Sequence, residues 1–163
     1  MTEFGTESRP TSASGLTPPQ AIQAERAVLA AMMLGNESVG RAIESIGERP
    51  FYRTAHQKIF DAVVALYGRS EPADLITVSE ELRRRGDLEA IGGAAYLAGV
   101  FEEATTAANL EVHAKIVSEK AVLRQLIKAT TEIQQECYAA GDDVAAIVNR
   151  SEERIFQISD KAV

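Results

Sequence analysis

The segment from Asp74 to Leu97, DLITVSEELRRRGDLEAIGGAAYL, constrains the fold of this chain more than any other stretch. Thr77, followed three residues later by Glu80, has the spacing of a capping box, in which two side chains accept hydrogen bonds from backbone donors at a helix start. Gly86 stands where helices commonly end in a left-handed cap. The pattern therefore predicts a helix that begins near Thr77 and ends near Gly86.

The two faces of this predicted helix differ in polarity. Val78 and Leu82 supply an apolar face, and the residues expected to face water are Glu80, Glu81, Arg83 and Arg84. Gly92 and Gly93 then predict the start of a second helix, which carries Tyr96. The whole segment is predicted to form a helix-turn-helix.

Composition favours helices in the rest of the chain as well. Hydrophobic residues make up 45% of the 163 residues, which is enough for a core. Ala, Leu, Glu, Arg and Ile fill the segments between glycines and prolines. The predicted fold class is all-α, a small orthogonal helical bundle followed by an antiparallel helical hairpin.

The net charge of -7 bears on the partners of the chain. A negative field repels phosphate backbones, so strong direct binding of DNA is not expected. The single cysteine, Cys137, fits a reducing compartment, and no stretch is long and apolar enough for a membrane span. We therefore expect a cytoplasmic protein without a membrane partner.

The first third of the chain predicts a tail and two helices. Residues 1–17 are polar and are expected to be a disordered tail. Pro18 and Pro19 are expected to open a helix that is apolar on all sides from Ala27 to Leu34 and lies at the centre of the bundle. The next helix is expected to begin at a cap residue, Asn36 or Ser38, and to end at Gly47. Thr54–Tyr67 then has the spacing of an amphipathic helix.

The last third carries two apolar stripes with alternating spacings of three and four residues, separated by a turn at Gly141. One comprises Leu123, Ile127, Thr130, Ile133 and Cys137, and the other Val144, Ile147, Val148, Ile155 and Ile158. Such a hairpin leaves an apolar face bare. We therefore expect residues 18–118 to form a globular head and residues 119–163 a hairpin that packs against its copy in a symmetric oligomer.

Catalytic signatures are weak in this sequence. Gly35, Gly40, Arg41 and Ala42 imitate the spacing of a phosphate loop, but its lysine and its hydroxyl are replaced and no strand precedes it. A helix connection is therefore expected there, and no cofactor or metal is expected in this chain.

The two histidines are expected to be structural. His56, His113 and Cys137 do not lie at the spacing of metal ligands. His56 is interpreted as a helix-start or packing residue, because a hydrolase built on His56 and Asp61 would lack a nucleophile. The run Arg83 to Arg85 is expected to be a solvated helix face, and Tyr96 fits either a core residue or an interface anchor.

Five stretches in order give this chain a resemblance to one family. They are AIQAERAVLAAMML, FYRTAHQKIF, DLITVSEEL with IGGAAYL, TAANLEVHAKIV, and EKAVLRQLI. Together they resemble the N-terminal domain of the DnaB-type replicative DNA helicases of bacteria. The resemblance runs from about Pro19 to Asp160.

The resemblance implies a domain without chemistry of its own. Its hairpins would pair into dimers that close as a three-fold collar on a hexameric ring, where primase docks and a helicase loader is a further candidate partner. Carried onto this sequence, Tyr96, Ile127 and Ile133 are the candidate primase-binding residues. Gln23, where the family often has an acidic residue, and Ala30, where it often has glycine, depart from the pattern.

The family's ATPase domain, with ATP and Mg²⁺, would begin beyond Val163. A parent protein would unwind duplex DNA in the 5'-3' direction at the replication fork, in the nucleoid. The alternative is a free-standing accessory or loader-type protein that binds helicase or primase.

Overall fold

The computed structural model describes residues 15–47, 50–139, 141 and 143–162. This part of the chain contains helices and no strands. The helices are α1 (Ile22–Met32), α2 (Asn36–Ile46), α3 (Thr54–Gly68), α4 (Leu75–Arg85), α5 (Gly93–Glu102), α6 (Leu110–Ala139) and α7 (Val144–Ala162). The all-α prediction is confirmed. None of these helices is long and apolar enough to cross a bilayer.

Helix α1 lies at the centre of the bundle, as predicted. It packs against α2, α3, α5 and α6, and Val28, Leu29 and Met32 are fully buried. Within the predicted apolar stretch from Ala27 to Leu34, only Leu34, beyond the end of the helix, is exposed. A helix surrounded by neighbours must be apolar on nearly all sides, and the sequence of α1 meets that requirement.

The predicted start of α1 is wrong. Helix α1 begins at Ile22 with Ala21 as its N-cap, three residues after Pro19. The Pro19 carbonyl instead accepts a hydrogen bond from the Arg124 guanidinium at 2.8 Å, which holds the proline segment against α6. The tail predicted over residues 1–17 lies mostly outside the described residues.

The predicted cap of α2 is also wrong. Gly35 is the N-cap, and neither Asn36 nor Ser38 makes a side-chain cap hydrogen bond. The Gly35 carbonyl accepts from the backbone of Ser38 and Val39, so the backbone alone closes the first turn. Gly47 ends the helix with φ +73°, as expected.

The sequence that imitates a phosphate loop is not a helix connection as a whole, because only Gly35, the N-cap of α2, lies between helices. Gly40 and Arg41 lie inside α2, and a Cβ on Gly40 would be 3.0 Å from the Tyr67 hydroxyl. Glycine at this position therefore allows α2 and α3 to pack closely. Arg41 forms a bidentate ion pair with Glu111, in which its Nε and Nη2 donate to the two carboxylate oxygens at 2.7 and 2.8 Å. This ion pair connects α2 to α6.

Helix α4 has a capping box, but one turn earlier than the sequence predicts. The N-cap is Asp74, whose carboxylate accepts from the Thr77 backbone N–H at 2.9 Å, while the Thr77 hydroxyl accepts from the Asp74 N–H at 2.9 Å. The Thr77 and Glu80 capping box is therefore wrong. Glu80 is an exposed residue that pairs with Arg83.

The glycines of this segment lie where they were predicted. Gly86 is the left-handed C-cap of α4, with φ +75°. Gly92 is the left-handed N-cap of α5, with φ +109°, and Gly93 is the first residue of that helix. A side chain at either φ would be strained, which is why glycine suits both positions.

Helices α6 and α7 form the predicted antiparallel hairpin. Arg150 and Arg154 of α7 pair with Glu136 of α6 at 3.1 and 2.5 Å. Helix α6 runs without a break through residues 118 and 119, where we expected the head to end. Its first half buries Leu110 and Val117 in the head core, and α7 contains no fully buried residue.

Candidate protein-binding surface

A buried carboxylate organises the polar interior of the head. Glu25 of α1 is 1% exposed and points at the start of α3. It accepts hydrogen bonds from the backbone N–H groups of Tyr52 and Arg53, which immediately precede α3. The first N–H groups of a helix carry partial positive charge, so a carboxylate there is stabilised. Glu25 thus caps α3 from another helix.

The imidazole of His56 links this carboxylate to α5. His56 is fully buried in the first turn of α3, and its Nδ1 lies 2.6 Å from Glu25 Oε2. Its Nε2 lies 2.7 Å from the Tyr96 hydroxyl. An ionised carboxylate only accepts, so Nδ1 carries a proton, and Tyr96 donates to Nε2 when the ring is neutral. The Glu25, His56 and Tyr96 network joins α1, α3 and α5.

Two arginines enclose the ring of Tyr96. The guanidinium of Arg26 lies 5.3 Å from the ring centroid and that of Arg53 6.0 Å, both within the range of cation–π attraction. Arg53 also donates to the Tyr96 hydroxyl at 3.3 Å. Arg26 forms an ion pair with Glu103 at 2.6 Å, and this hydrogen bond raises the pKa of Arg26. Tyr96 is therefore half-buried and held by its own chain.

The sequence pattern predicts only one part of this network. The interpretation of His56 as a helix-start or packing residue agrees with the structure, but no role was predicted for Glu25. A single acid at the spacing of the buried face of α1, three residues before Val28 and four before Leu29, was the available signal. Asp61 is exposed and does not bind His56, whose two nitrogens have other partners.

The run Arg83 to Arg85 is exposed, as expected of a solvated helix face, but one glutamate beside it is not. Glu81, expected to face water, is 4% exposed and accepts from Arg69, Arg84 and Arg85 at 2.9, 2.7 and 2.8 Å. The expectation failed because Arg69, from the end of α3, folds over this carboxylate. These hydrogen bonds, led by that of Arg84, lower the pKa of Glu81 to about 2.

The hairpin carries exposed apolar side chains on both helices. Ile127 of α6 is 47% exposed, and Val148 and Phe156 of α7 are 49% and 68% exposed. Leu123 and Val144 are exposed as well, whereas Ile133, Ile147, Ile155 and Ile158 are half-buried. Thr130 is exposed and donates its hydroxyl hydrogen to the Leu126 carbonyl. Phe156 was not among the predicted interface residues.

The structure does not bring the three candidate primase-binding residues into one contact. Tyr96 lies in the polar network of the head, whereas Ile127 and Ile133 lie on α6. Six residues separate the two isoleucines, so they project from different sides of the helix. No hydrogen bond or ring contact joins Tyr96 to either one in the described part of the chain.

Metal ligands are not clustered in the described ranges. No group of three or more His, Cys, Asp or Glu side chains there could hold a metal ion. His113 is half-buried and Cys137 is exposed.

The fold and this surface together define an all-α domain with a helical hairpin that carries exposed apolar side chains on both helices. A sequence model described as the DnaB-like helicase N terminal domain matches residues 17–119. The chain therefore belongs to the DnaB-like helicase N-terminal domain family.

Named relatives agree with this assignment. The chain is 44% identical over 153 residues to a protein of Mycobacterium leprae named replicative DNA helicase DnaB, covering 93% of this chain and 25% of the relative. It is 42% identical over 144 residues to a protein of that name from Geobacillus stearothermophilus, covering 88% and 32%. The chain thus spans between a quarter and a third of the length of these two relatives.

A solved structure has the same fold. The crystal structure of the N-terminal domain of DnaB helicase from Mycobacterium tuberculosis matches with a TM-score of 0.82 and 44% sequence identity. The match covers 87% of this chain and 99% of the other. The predicted resemblance is confirmed for the family and the fold.

Proposed function

We propose that this chain is the collar domain of a replicative DNA helicase, which holds the subunits of a hexamer together and recruits primase. Family membership and the names of the relatives support this assignment. ATP hydrolysis with Mg²⁺ and 5'-3' unwinding of duplex DNA would reside in a separate ATPase domain of the parent helicase. The chain would act in the cytoplasm, at the replication fork on the nucleoid.

The observation that carries self-association is the open apolar face of the hairpin. Leu123 and Ile127 on α6, with Val144 and Val148 on α7, are exposed at the spacing of a helix contact. Burying a large apolar side chain stabilises an interface by about 2 kcal/mol. A second hairpin with the same face would cover these side chains in a two-fold dimer, and three dimers would close the ring.

A charged residue introduced on the apolar face of the hairpin tests the proposed self-association. Val148→Asp in the full chain should lower the average mass in sedimentation equilibrium, because the aspartate would have to be buried between hairpins. Ile76→Asp is the matched control, since Ile76 is 75% exposed on α4 of the head. An unchanged mass for Val148→Asp, or an equal loss in both variants, would contradict the proposal.

Primase recruitment is proposed on Tyr96, Ile127 and Ile133. Ile127→Ala and Ile133→Ala should weaken binding of a primase helicase-binding domain in calorimetry, by about tenfold each for a contact worth 1.4 kcal/mol. Tyr96→Phe removes only the hydroxyl group and leaves the aromatic ring available for contact with primase. Ile76→Ala controls for loss of an exposed isoleucine elsewhere, and undiminished affinity in both α6 variants would remove these residues from the site.

A further inference from the structure

Two neighbouring hollows on one side of α6 form a continuous groove. One, of about 430 Å³, lies between the head and α6 and is lined by Tyr52 and Arg124. The other, of about 260 Å³, lies between α6 and α7 and is lined by Arg154. Gln125 and Lys128 line both hollows and so connect them. We call this the basic groove.

The charge of the basic groove is opposite to that of the chain. Four cationic side chains line it, namely Arg124, Lys128, Arg154 and Lys161, with one carboxylate, Glu132. The chain as a whole carries a charge of -7. A local excess of positive charge on an acidic molecule attracts an anionic group to that place and to few others.

Two of these cations are not neutralised by a bonded carboxylate. Arg124 donates to the backbone carbonyls of Pro19 and Pro50, at 2.8 and 2.7 Å, which leaves its charge in place. Lys128 makes no ion pair with any residue that the structure describes. Both side chains line the end of the groove nearest the head.

Arg154 contributes less uncompensated charge to the groove than these two cations. It binds Glu132 at 3.6 Å and Glu136 at 2.5 Å, so two carboxylates already offset its charge. Its Nη1 has no hydrogen-bond partner among the described residues, but this atom is buried and is not exposed to a ligand in the groove. The end of the groove that carries Arg124 and Lys128 is therefore the part that attracts an anionic ligand.

The head end of the groove is aromatic. Tyr52 lies under the Arg124 guanidinium, 5.4 Å from ring centroid to Cζ, and Phe51 lines the same hollow. An apolar side chain could pack on Tyr52 while neighbouring carboxylates meet Lys128. Nucleic acid fits less well, because the net charge of -7 on the chain repels the phosphates that would extend beyond the groove.

We propose that the basic groove binds an acidic segment of a partner protein, with carboxylates at Lys128 and beside Arg124 and an apolar side chain on Tyr52. Ile158 of the second predicted stripe lines the groove, but neither Tyr96 nor the exposed side chains proposed for self-association do, namely Leu123, Ile127, Val144 and Val148. Binding at this groove therefore does not depend on the proposed sites for self-association and primase.

Fluorescence anisotropy of the full chain with a labelled peptide of alternating Glu and Leu tests the proposal. The expected result is saturable binding that weakens with added salt, and no binding of the matched peptide of Gln and Leu. Lys128→Glu should weaken the affinity by about tenfold or more. Lys115→Glu is the matched control, a charge reversal at an exposed lysine of α6 outside the groove, and should change the affinity by less than about twofold.

Circular dichroism checks that both variants keep their helicity, which is expected because neither lysine is buried. Equal weakening by both variants, or equal binding of both peptides, would overturn the proposal. Displacement of the peptide by single-stranded oligothymidylate that itself requires Lys128 would assign the groove to nucleic acid instead. A changed mass of Lys128→Glu in sedimentation equilibrium would assign it to contact between copies, and would also overturn the proposal.

Discussion

At the residue scale, the head is organised by polar side chains whose partners are distant in the chain. Glu25 and His56 are 31 residues apart, and His56 and Tyr96 are 40 apart. Removing one member leaves the others buried without a partner, which costs more than the hydrogen bond itself contributes. Such a network specifies how α1, α3 and α5 fit together.

Replacement of Glu25 should therefore be far more damaging than replacement of an exposed glutamate. Glu25→Ala leaves His56 Nδ1 and the N–H groups before α3 without an acceptor, so we expect a loss of about 3 kcal/mol or more in the free energy of unfolding. Glu44→Ala, at an exposed position of α2, should change it by less than about 0.5 kcal/mol. Urea denaturation measures both, and similar midpoints would show that the network adds little stability.

The acid stability of the head should depend on Glu81. Three arginines lower the pKa of Glu81 from 4.5 to about 2. Its contribution to stability is therefore present above pH 4.5 and is lost as the pH falls towards 2. Thermal unfolding of Glu81→Gln should show a weaker dependence on pH over this window than the parent chain, and Glu89→Gln, at an exposed position of the turn after α4, is the control. Parallel pH profiles for parent and Glu81→Gln would contradict this.

At the element scale, the sequence locates the helices better than their first residues. The expectation for α3 agrees with Thr54–Gly68 to within one residue, since apolar spacing repeats along that whole segment. The first residue of a helix depends on which of several neighbouring polar side chains accepts a hydrogen bond from the backbone as the N-cap. At α4 both Asp74 and Thr77 are good cap residues, and the structure uses Asp74 as the N-cap.

Two substitutions distinguish the Asp74 and Thr77 capping box of the structure from the Thr77 and Glu80 box predicted from the sequence. Asp74→Ala should destabilise the domain by about 1 kcal/mol, the usual cost of losing a side-chain N-cap. Glu80→Ala should cost less than about 0.5 kcal/mol, since Glu80 makes only an exposed pair with Arg83. Chemical denaturation compares the two variants, and a larger loss for Glu80→Ala would restore the Thr77 and Glu80 box.

At the scale of the whole molecule, the buried core and the surface proposed for self-association lie in different parts. The core cluster comes from α1 to α5 and the first half of α6, whereas α7 contributes no fully buried residue. Ile127 in the second half of α6, and Val144, Val148 and Phe156 of α7, remain exposed. The head and the hairpin are nevertheless joined by one continuous helix, α6.

Removal of residues 140–163 should therefore leave the head folded and abolish most self-association. The thermal midpoint should fall by no more than about 4 °C, the shift for a loss of roughly 1 kcal/mol in a domain of this size. Differential scanning calorimetry and sedimentation equilibrium measure the two effects. Truncation of the chain after Ser118 is the informative comparison, because it also removes Arg124 and its hydrogen bonds to the carbonyls of Pro19 and Pro50. This shorter chain should have a less stable head. Unaltered self-association after loss of 140–163 would exclude α7 from the interface.

The sequence by itself determined the helices, the glycines that end and start them at Gly86 and Gly92, and the family, because helix signals and caps depend on residues within one or two turns of each other. The tertiary structure alone decided which polar groups are buried and which cations share a groove. Glu81 is buried because Arg69, 12 residues away, folds over it, and Glu25 is buried because α3 begins beside it. Local spacing carries no information about such partners, since they meet only when separate helices pack.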